Sequence, residues 1–359
     1  MSITEIAPSQ TGQQKQTFSR IGSARAMANV AFYEATTARP RKQTLLSKLG
    51  ATLEQPPFSW ENPDYKRVFS EKLMEFRLRM VGALSLYSYV SNTPPETIRK
   101  DERLESFYLF WFLGASQDDV IDKLGLASKN PTVKQEIFGG EQAFHRGGLR
   151  LLETTIKDSA LAPEKKHYIK GKIANWYQFL TTQESDVLAS SPNSWTFEYA
   201  RAYREEQNKR AGETLVAILN WDDCLSPEKQ GLEDVIPQFS FLTQMIDDIA
   251  DTPEDLLYKR PGYSVGALSD HPAELAAVEE YCKKTGSKKI HPKTLRKLAP
   301  ESHSLLQNTF DSYSKTLSNE LAILGIPSKG MLQVGQLLYR YFPTVRDIIY
   351  HISPKRAVF

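Results

Sequence analysis

At residues 107–125 the sequence reads "FYLFWFLGASQDDVIDKLG", which changes from aromatic to acidic along its length. Residues three and four apart share one face of a helix, so Asp118 and Asp122 align, with Asp119 beside them. The same stripe leads back to Trp111 and Phe107. Adjacent carboxylates repel one another, and a bound cation offsets that repulsion. We therefore expect a helix that lines an apolar cavity and carries a cation site at its end; the alternative is a solvated acidic turn.

The remainder of the chain shows helical spacing of apolar residues and no alternating strand pattern. We predict a helix that begins after "NTPPE" (92–96), with Thr93 as its cap, and ends near Gly125. Further helices are predicted at 65–90, 139–158, 162–189, 195–220, 237–252, 272–284, 300–324 and 330–351. Because such long segments cannot be short strands, the sequence predicts an all-α, single-domain helical bundle of about ten helices. Residues 1–60 are expected to form a polar, extended N-terminal segment and residues 61–359 the α-helical domain.

The composition narrows the class of protein. The 45 Lys and Arg residues nearly balance the 43 Asp and Glu residues, so there is no electrostatic case for a nucleic-acid partner. Two cysteines, Cys224 and Cys282, are too few for a disulfide framework or a Cys-based zinc site. The sequence shows neither a secretory signal nor the roughly 20 continuous apolar residues of a membrane span. We expect a cytoplasmic protein without a membrane span.

A second acidic motif lies in "QMIDDIADTPEDLLYKR" (244–260), again at the end of an apolar helix. Asp247, Asp251 and Asp255 would share one metal-binding edge if the helix continued. However, Pro253 lacks a backbone N–H and should kink or end the helix near Thr252. Asp247 and Asp251 are therefore the safer metal ligands, and the position of Asp255 is left open. A further acidic pair, at 222–223, is interpreted as part of a structural turn at a helix end.

Two acidic motifs in an all-helical chain resemble the class I terpenoid (isoprenoid) synthases. The family's first motif, DDxx(D/E), matches 118–122, and its second, (N/D)D(L/I/V)x(S/T/D)xxx(E/D), maps onto 247–255 with Asp in place of the usual Asn and Ser. The resemblance covers about residues 70–350 and implies the helical bundle of that family. It also implies that Mg²⁺, as three ions, is the cofactor. The implied metal ligands are Asp118, Asp119, Asp122, Asp247, Asp248, Asp251 and Asp255.

The same resemblance implies residues that contact a diphosphate. A diphosphate-sensing arginine is expected well before the second motif, where Arg201 and Arg204 lie one turn apart, and these two remain alternatives. A late Arg-Tyr pair corresponds to Arg340 and Tyr341, and Lys259 is a further candidate. The catalytic set is then Asp118, Arg201, Arg204, Arg340 and Tyr341. Residues expected to line the substrate pocket are Phe107, Trp111, Trp176, Phe179, Phe239 and Phe241, although most aromatics on helical stripes are core.

The resemblance implies a magnesium-dependent terpene cyclase that ionises a prenyl diphosphate, with farnesyl diphosphate as the first choice. The product would be a sesquiterpene hydrocarbon, and a fungal humulene-type product is one hypothesis suggested by the acidic second motif. A trans-prenyltransferase fits the two DDxxD motifs, but the Arg-Arg pair normally found after the first motif is replaced by lysines. A squalene- or phytoene-type synthase and a non-catalytic helical adaptor remain alternatives, and so does a homodimer.

Overall fold

The computed structural model describes residues 142–189, 195–225, 230–258 and 260–325, together with shorter stretches between 84 and 114. Every regular element in these ranges is helical, and no strand occurs among them, which confirms the all-α class. The predicted helix at 330–351, the first acidic motif and the segment 1–60 lie outside these ranges. None of the helices in the described part of the chain is long and apolar enough to cross a membrane.

The described helices are numbered in chain order. They are α1 (Pro95–Ile98), α2 (Gln142–Asp158), α3 (Pro163–Ala189), α4 (Phe197–Leu219), α5 (Gln230–Ala250), α6 (Thr252–Tyr258), α7 (Tyr263–Ser269), α8 (Pro272–Thr285), α9 (Pro292–Leu298) and α10 (Pro300–Ile323). Residues 102–110 and 113–114 are also helical. The predicted helices at 139–158, 162–189, 195–220, 272–284 and 300–324 are confirmed, and α5 begins earlier than predicted. Thr93, the expected cap, instead donates its hydroxyl to the Ser91 carbonyl oxygen at 3.4 Å.

Helices α4 and α5 run antiparallel through the centre of the described bundle. Near their crossing, the Pro237 ring of α5 packs against Gly212 of α4, where an added Cβ would lie 2.8 Å from Pro237 Cγ. Helix α3 packs on α4, α7 packs on both central helices, and α10 packs on α5 and α7. The missing side chain at Gly212 therefore lets the central pair tolerate a proline within α5.

The buried apolar residues form two core clusters. The first joins residues 84–113, α2, α3, the end of α4, the start of α5 and the end of α10. The second joins the end of α5 to α7, α8, α9 and the first half of α10, and includes Phe197 at the start of α4. Helices α4, α5 and α10 contribute residues to both clusters and so join them.

Acidic side chains cap two of the long helices. Asp270 accepts a hydrogen bond from the backbone N–H of Phe197, at the start of α4, at 3.0 Å. Glu274 of α8 accepts hydrogen bonds from the backbone N–H groups of Glu301 and Ser302, both at 2.9 Å, and from the Ser302 hydroxyl at 2.6 Å. A carboxylate at a helix N-terminus satisfies free N–H groups and complements the helix dipole.

The Glu274 cap should make stability depend on pH. Burial raises the pKa of Glu274, but the hydrogen bonds from Ser302 and Glu301 outweigh it and lower the pKa below its ordinary value. A carboxylate whose pKa is lower in the folded state contributes stability at pH values above its unfolded pKa of about 4.3. That contribution is lost as the pH falls through the folded-state pKa. We expect Glu274→Gln to cost about 1 kcal/mol at neutral pH and progressively less below about pH 4. Urea unfolding at several pH values measures this difference.

Glu279→Gln is the matched control, because Glu279 lies on the same helix and pairs only loosely with Lys283, at 3.8 Å. This exposed pair should contribute about 0.5 kcal/mol or less at any pH. An equal loss for both variants at neutral pH would show that Glu274 does not act as a helix cap.

Candidate functional site

The second acidic motif spans a break between α5 and α6, as Pro253 predicts. Helix α5 ends at Ala250, and α6 begins at Thr252. The carbonyl groups freed at the break are satisfied locally, since the Thr252 hydroxyl lies 2.9 Å from the Ile249 carbonyl oxygen and the backbone N–H of Ile290 donates to Ala250 at 2.9 Å. The hydrogen bond from Ile290 therefore also holds the loop that precedes α9 against the end of α5.

Asp248 of α5 and Arg204 of α4 form a buried, bidentate ion pair. Arg204 Nε lies 3.2 Å from Asp248 Oδ2, and Nη2 lies 3.0 Å from Oδ1. Gln244 Nε2 donates to Oδ1 at 2.7 Å, and the backbone N–H of Tyr263 donates to Oδ2 at 2.8 Å. The Arg204 side chain is 7% exposed and the Asp248 side chain 2%. Asp248 is among the predicted metal ligands, and in the structure its oxygens accept these four hydrogen bonds.

Arg201 has a different environment from Arg204. Its side chain is 40% exposed, and its Nε lies 3.1 Å from Glu205 Oε1, with Glu198 at 3.8 Å from Nη1. Glu205 Oε1 also accepts a hydrogen bond from the Tyr313 hydroxyl at 2.6 Å. Of the two arginines that sequence alone left as alternatives, Arg201 is thus the accessible one and Arg204 the buried one.

Asp247 and Asp251 lie one helical turn apart at the end of α5, where the backbone N–H of Asp251 donates to the Asp247 carbonyl oxygen at 2.8 Å. Both residues are partly exposed. The Lys289 ammonium, from the loop before α9, pairs with the Asp251 carboxylate. Burial raises the pKa of Asp251 although Lys289 opposes this. Burial lowers the pKa of Lys289, but Asp251, Asp247 and Glu254 outweigh it and raise that pKa.

Asp255 points into the protein rather than toward solvent. It is 1% exposed, and neither of its carboxylate oxygens accepts a hydrogen bond from the described residues. Arg260 Nη1 lies 3.3 Å from Oδ1. An added Cβ at Gly262 would lie 2.9 Å from Asp255 Oδ2 and 3.1 Å from Asp248 Oδ2, so only glycine fits beside the two carboxylates. Burial and the charge of Asp248 raise the pKa of Asp255 well above its ordinary value.

The aromatic residues predicted for a substrate pocket are distributed over both core clusters. Phe107 and Trp176 are buried in the first cluster, and Phe239 packs against it, whereas Phe241 is buried in the second. Phe179 is half-buried, with its ring 5.6 Å from that of Tyr203.

Trp176 of α3 contacts residues that precede the first predicted motif in the sequence. Its ring lies 4.6 Å from that of Phe110, between centroids, and a Cβ at Gly114 would be 3.4 Å from Trp176 Cζ2. The helical residues Phe110 and Gly114 therefore pack on α3.

The remaining predicted site residues lie outside the described residues, and their predictions stand as made. They are Trp111, Asp118, Asp119, Asp122, Lys259, Arg340 and Tyr341. Within the described residues, no group of three or more His, Cys, Asp or Glu side chains is arranged to hold a metal ion. The acidic pair at 222–223 lies in the turn after α4, where Asp222 pairs with the buried Arg103 at 2.9 Å, consistent with the structural role expected for it.

Several residues around the two arginines and the second acidic motif were not predicted from the sequence. Glu205 carries a local signal, because it lies four residues after Arg201 on the same helix. Tyr263, Lys289 and Tyr313 carry none, since each reaches the site from a distant helix or loop.

We found no protein-family model that matches the sequence and no curated protein with significant similarity to it. The functional hypothesis therefore depends on the motifs and on the contacts among their residues.

Proposed function

We propose that the protein is a magnesium-dependent terpene cyclase of the class I terpenoid synthase type, which ionises a prenyl diphosphate and cyclises the resulting carbocation. The observation that supports this most is the contact between Arg204 and Asp248. The resemblance assigned the helix that carries Arg201 and Arg204 and the second acidic motif to one site, and Arg204 Nη2 lies 3.0 Å from Asp248 Oδ1. An all-α bundle in which an arginine-bearing helix lies beside an acidic helix end suits this chemistry.

The described carboxylates fit magnesium in part. Mg²⁺ prefers a few carboxylate oxygens and leaves other positions for water and phosphate. Asp247 and Asp251 offer such oxygens from successive turns, and both are partly exposed. Asp248 and Asp255 are buried beside Arg204 and Arg260, so we assign them to the support of the site.

In the proposed enzyme, Asp247 and Asp251 would hold magnesium together with the three carboxylates of the first motif, Asp118, Asp119 and Asp122. Bound magnesium would supply positive charge that stabilises the departing diphosphate.

Arg201 would donate hydrogen bonds to the diphosphate from the exposed edge of its guanidinium group, a geometry suited to phosphate oxygens. Arg204 would hold α4 against α5 through Asp248, and so keep Arg201 at a fixed distance from the acidic motif. Magnesium held by Asp251 would have to displace the Lys289 ammonium, which pairs with the same carboxylate. Farnesyl diphosphate is the first substrate to test, with Arg340 and Tyr341 as further donors.

The first experiment is to incubate the purified protein with farnesyl diphosphate, with and without magnesium, and to analyse the organic extract by gas chromatography–mass spectrometry. We expect a cyclic hydrocarbon only when magnesium is present. The same assay with shorter and longer diphosphates, and with added isopentenyl diphosphate, distinguishes another chain length or a prenyltransferase. If every substrate is left unchanged, the helical adaptor is the better interpretation.

Asp247→Ala should lower the rate of product formation by at least about 100-fold, because one of the groups that stabilise the leaving diphosphate is lost. Asp223→Ala is the matched control, since Asp223 is an exposed carboxylate in the turn after α4, and its rate should be unchanged. Rates are measured from product peaks at saturating magnesium. A full rate for Asp247→Ala would exclude the second motif from the reaction.

A further inference from the structure

The half-exposed Arg201 is connected to the buried Asp248 by a continuous series of contacts across four helices. Arg201 Nε donates to Glu205 Oε1 at 3.1 Å, and the Tyr313 hydroxyl of α10 donates to the same oxygen at 2.6 Å. The Tyr313 and Tyr263 hydroxyl oxygens lie 3.4 Å apart. The backbone N–H of Tyr263, at the start of α7, then donates to Asp248 Oδ2 at 2.8 Å.

Tyr313 is fixed in position by its surroundings. It is buried, its ring centroid lies 5.3 Å from that of Phe241 on α5, and it lies 6.2 Å from that of Tyr263 on α7. Burial, together with the neighbouring Tyr263 and Glu205, raises the pKa of Tyr313 far above its ordinary value. The hydroxyl therefore stays protonated and remains a donor to Glu205 at all working pH values.

Glu205 would be poorly fixed without Tyr313. On an exposed helix face, a Glu and an Arg four residues apart interact weakly, and each side chain keeps several rotamers. The Tyr313 hydroxyl is a second donor to the same Glu205 oxygen, and the buried Tyr313 ring holds it in place. The Glu205 side chain therefore has fewer accessible rotamers. Glu205 holds the Arg201 Nε atom, and the two Nη atoms belong to the same planar group. Fixing Nε therefore restricts the position of the whole guanidinium group.

We propose that Tyr313, acting through Glu205, is a positioning residue that fixes the Arg201 guanidinium group for binding of a diphosphate. This inference rests on the proposed function for the identity of the ligand, but the coupling of Tyr313 to Arg201 does not. Tyr313 itself does not contact the ligand. Its effect on ligand binding must therefore disappear when Arg201 is absent.

The coupling is tested by a double-mutant cycle between Tyr313→Phe and Arg201→Gln, with the equilibrium constant for unfolding as the readout. Phenylalanine keeps the ring contacts and removes only the hydroxyl group. We expect the double variant to depart from the product of the single effects by about threefold or more. Tyr281→Phe is the matched control, because Tyr281 packs against the same core cluster, and its cycle with Arg201→Gln should be multiplicative. A multiplicative cycle for Tyr313 overturns the proposal.

The function of the pair is tested with inorganic pyrophosphate and magnesium by isothermal titration calorimetry on the full chain. We expect Tyr313→Phe to weaken pyrophosphate binding by about tenfold, a typical loss for a disrupted supporting interaction. In the Arg201→Gln background the same change should have no further effect, and Tyr281→Phe should have none in either background. An equal loss with and without Arg201 overturns the positioning role.

The two tests separate the two proposals. If the wild-type protein does not bind pyrophosphate, the proposed function fails, and the double-mutant cycle alone decides whether Tyr313 positions Arg201. If pyrophosphate binds but Tyr313→Phe leaves its affinity unchanged, the proposed function stands and the role of Tyr313 is overturned.

Discussion

Arg204→Met is expected to lower the free energy of unfolding by about 3–5 kcal/mol, since it leaves a buried carboxylate without its counterion. Asp248 is 2% exposed and would keep only the hydrogen bonds from Gln244 and the Tyr263 backbone N–H. Methionine retains most of the apolar stem of arginine, so the loss reports the charge more than the packing. Urea unfolding followed by circular dichroism gives the value.

Two variants check the cause of that loss. Arg201→Met makes the same chemical change one turn earlier on α4, where the side chain is 40% exposed, and should cost less than about 1 kcal/mol. The double variant Arg204→Met with Asp248→Leu removes both charges and should recover much of the stability lost by the single variant. Equal losses for Arg201→Met and Arg204→Met would contradict the buried ion pair.

The long helices could be predicted from sequence because each carries several turns of apolar periodicity. Helices α2, α3, α4, α8 and α10 agree with their predicted bounds to within a few residues. Helices α6, α7 and α9 were missed, since each has only seven residues and too few turns to show a period. Their positions depend on tertiary contacts, such as the bond between the Ile290 N–H and the Ala250 carbonyl oxygen at 2.9 Å.

The second motif shows where a prediction of side-chain positions from helical spacing fails. The spacing of Asp247, Asp251 and Asp255 suggested one common edge if the helix continued, but the helix breaks at Asp251, between α5 and α6. Asp255 therefore lies beside Asp248 in the buried cluster, with Gly262 against both carboxylates. The local break at Pro253 could be predicted. The partners of Asp248 and Asp251 could not, because Arg204 and Lys289 approach from other parts of the chain, whereas Arg260 follows Asp255 by only five residues.

The site also depends on the position of α7, whose first residue donates to Asp248. Gly266, in the middle of α7, packs on the start of α4, where an added Cβ would lie 2.7 Å from Ala200 Cβ and 3.0 Å from both Phe197 Cα and the Thr196 carbonyl oxygen. Two of these three atoms belong to the backbone and cannot rotate away. Any side chain at Gly266 must therefore push α7 away from α4.

Gly266→Ala is expected to destabilise the protein by about 1–3 kcal/mol, the usual cost of overpacking, even though alanine is the better helix former. Gly171→Ala is the matched control within α3, where an added Cβ meets nothing within 4 Å, and it should stabilise the protein by about 0.5–1 kcal/mol. The opposite signs follow from one difference, the space at Cβ. Thermal and urea unfolding of both variants measure the change in stability. A stabilising effect of Gly266→Ala would show that α7 does not pack closely on α4. Because the Tyr263 N–H moves with α7, the destabilising variant should also weaken the stabilising effect of the Arg204–Asp248 pair.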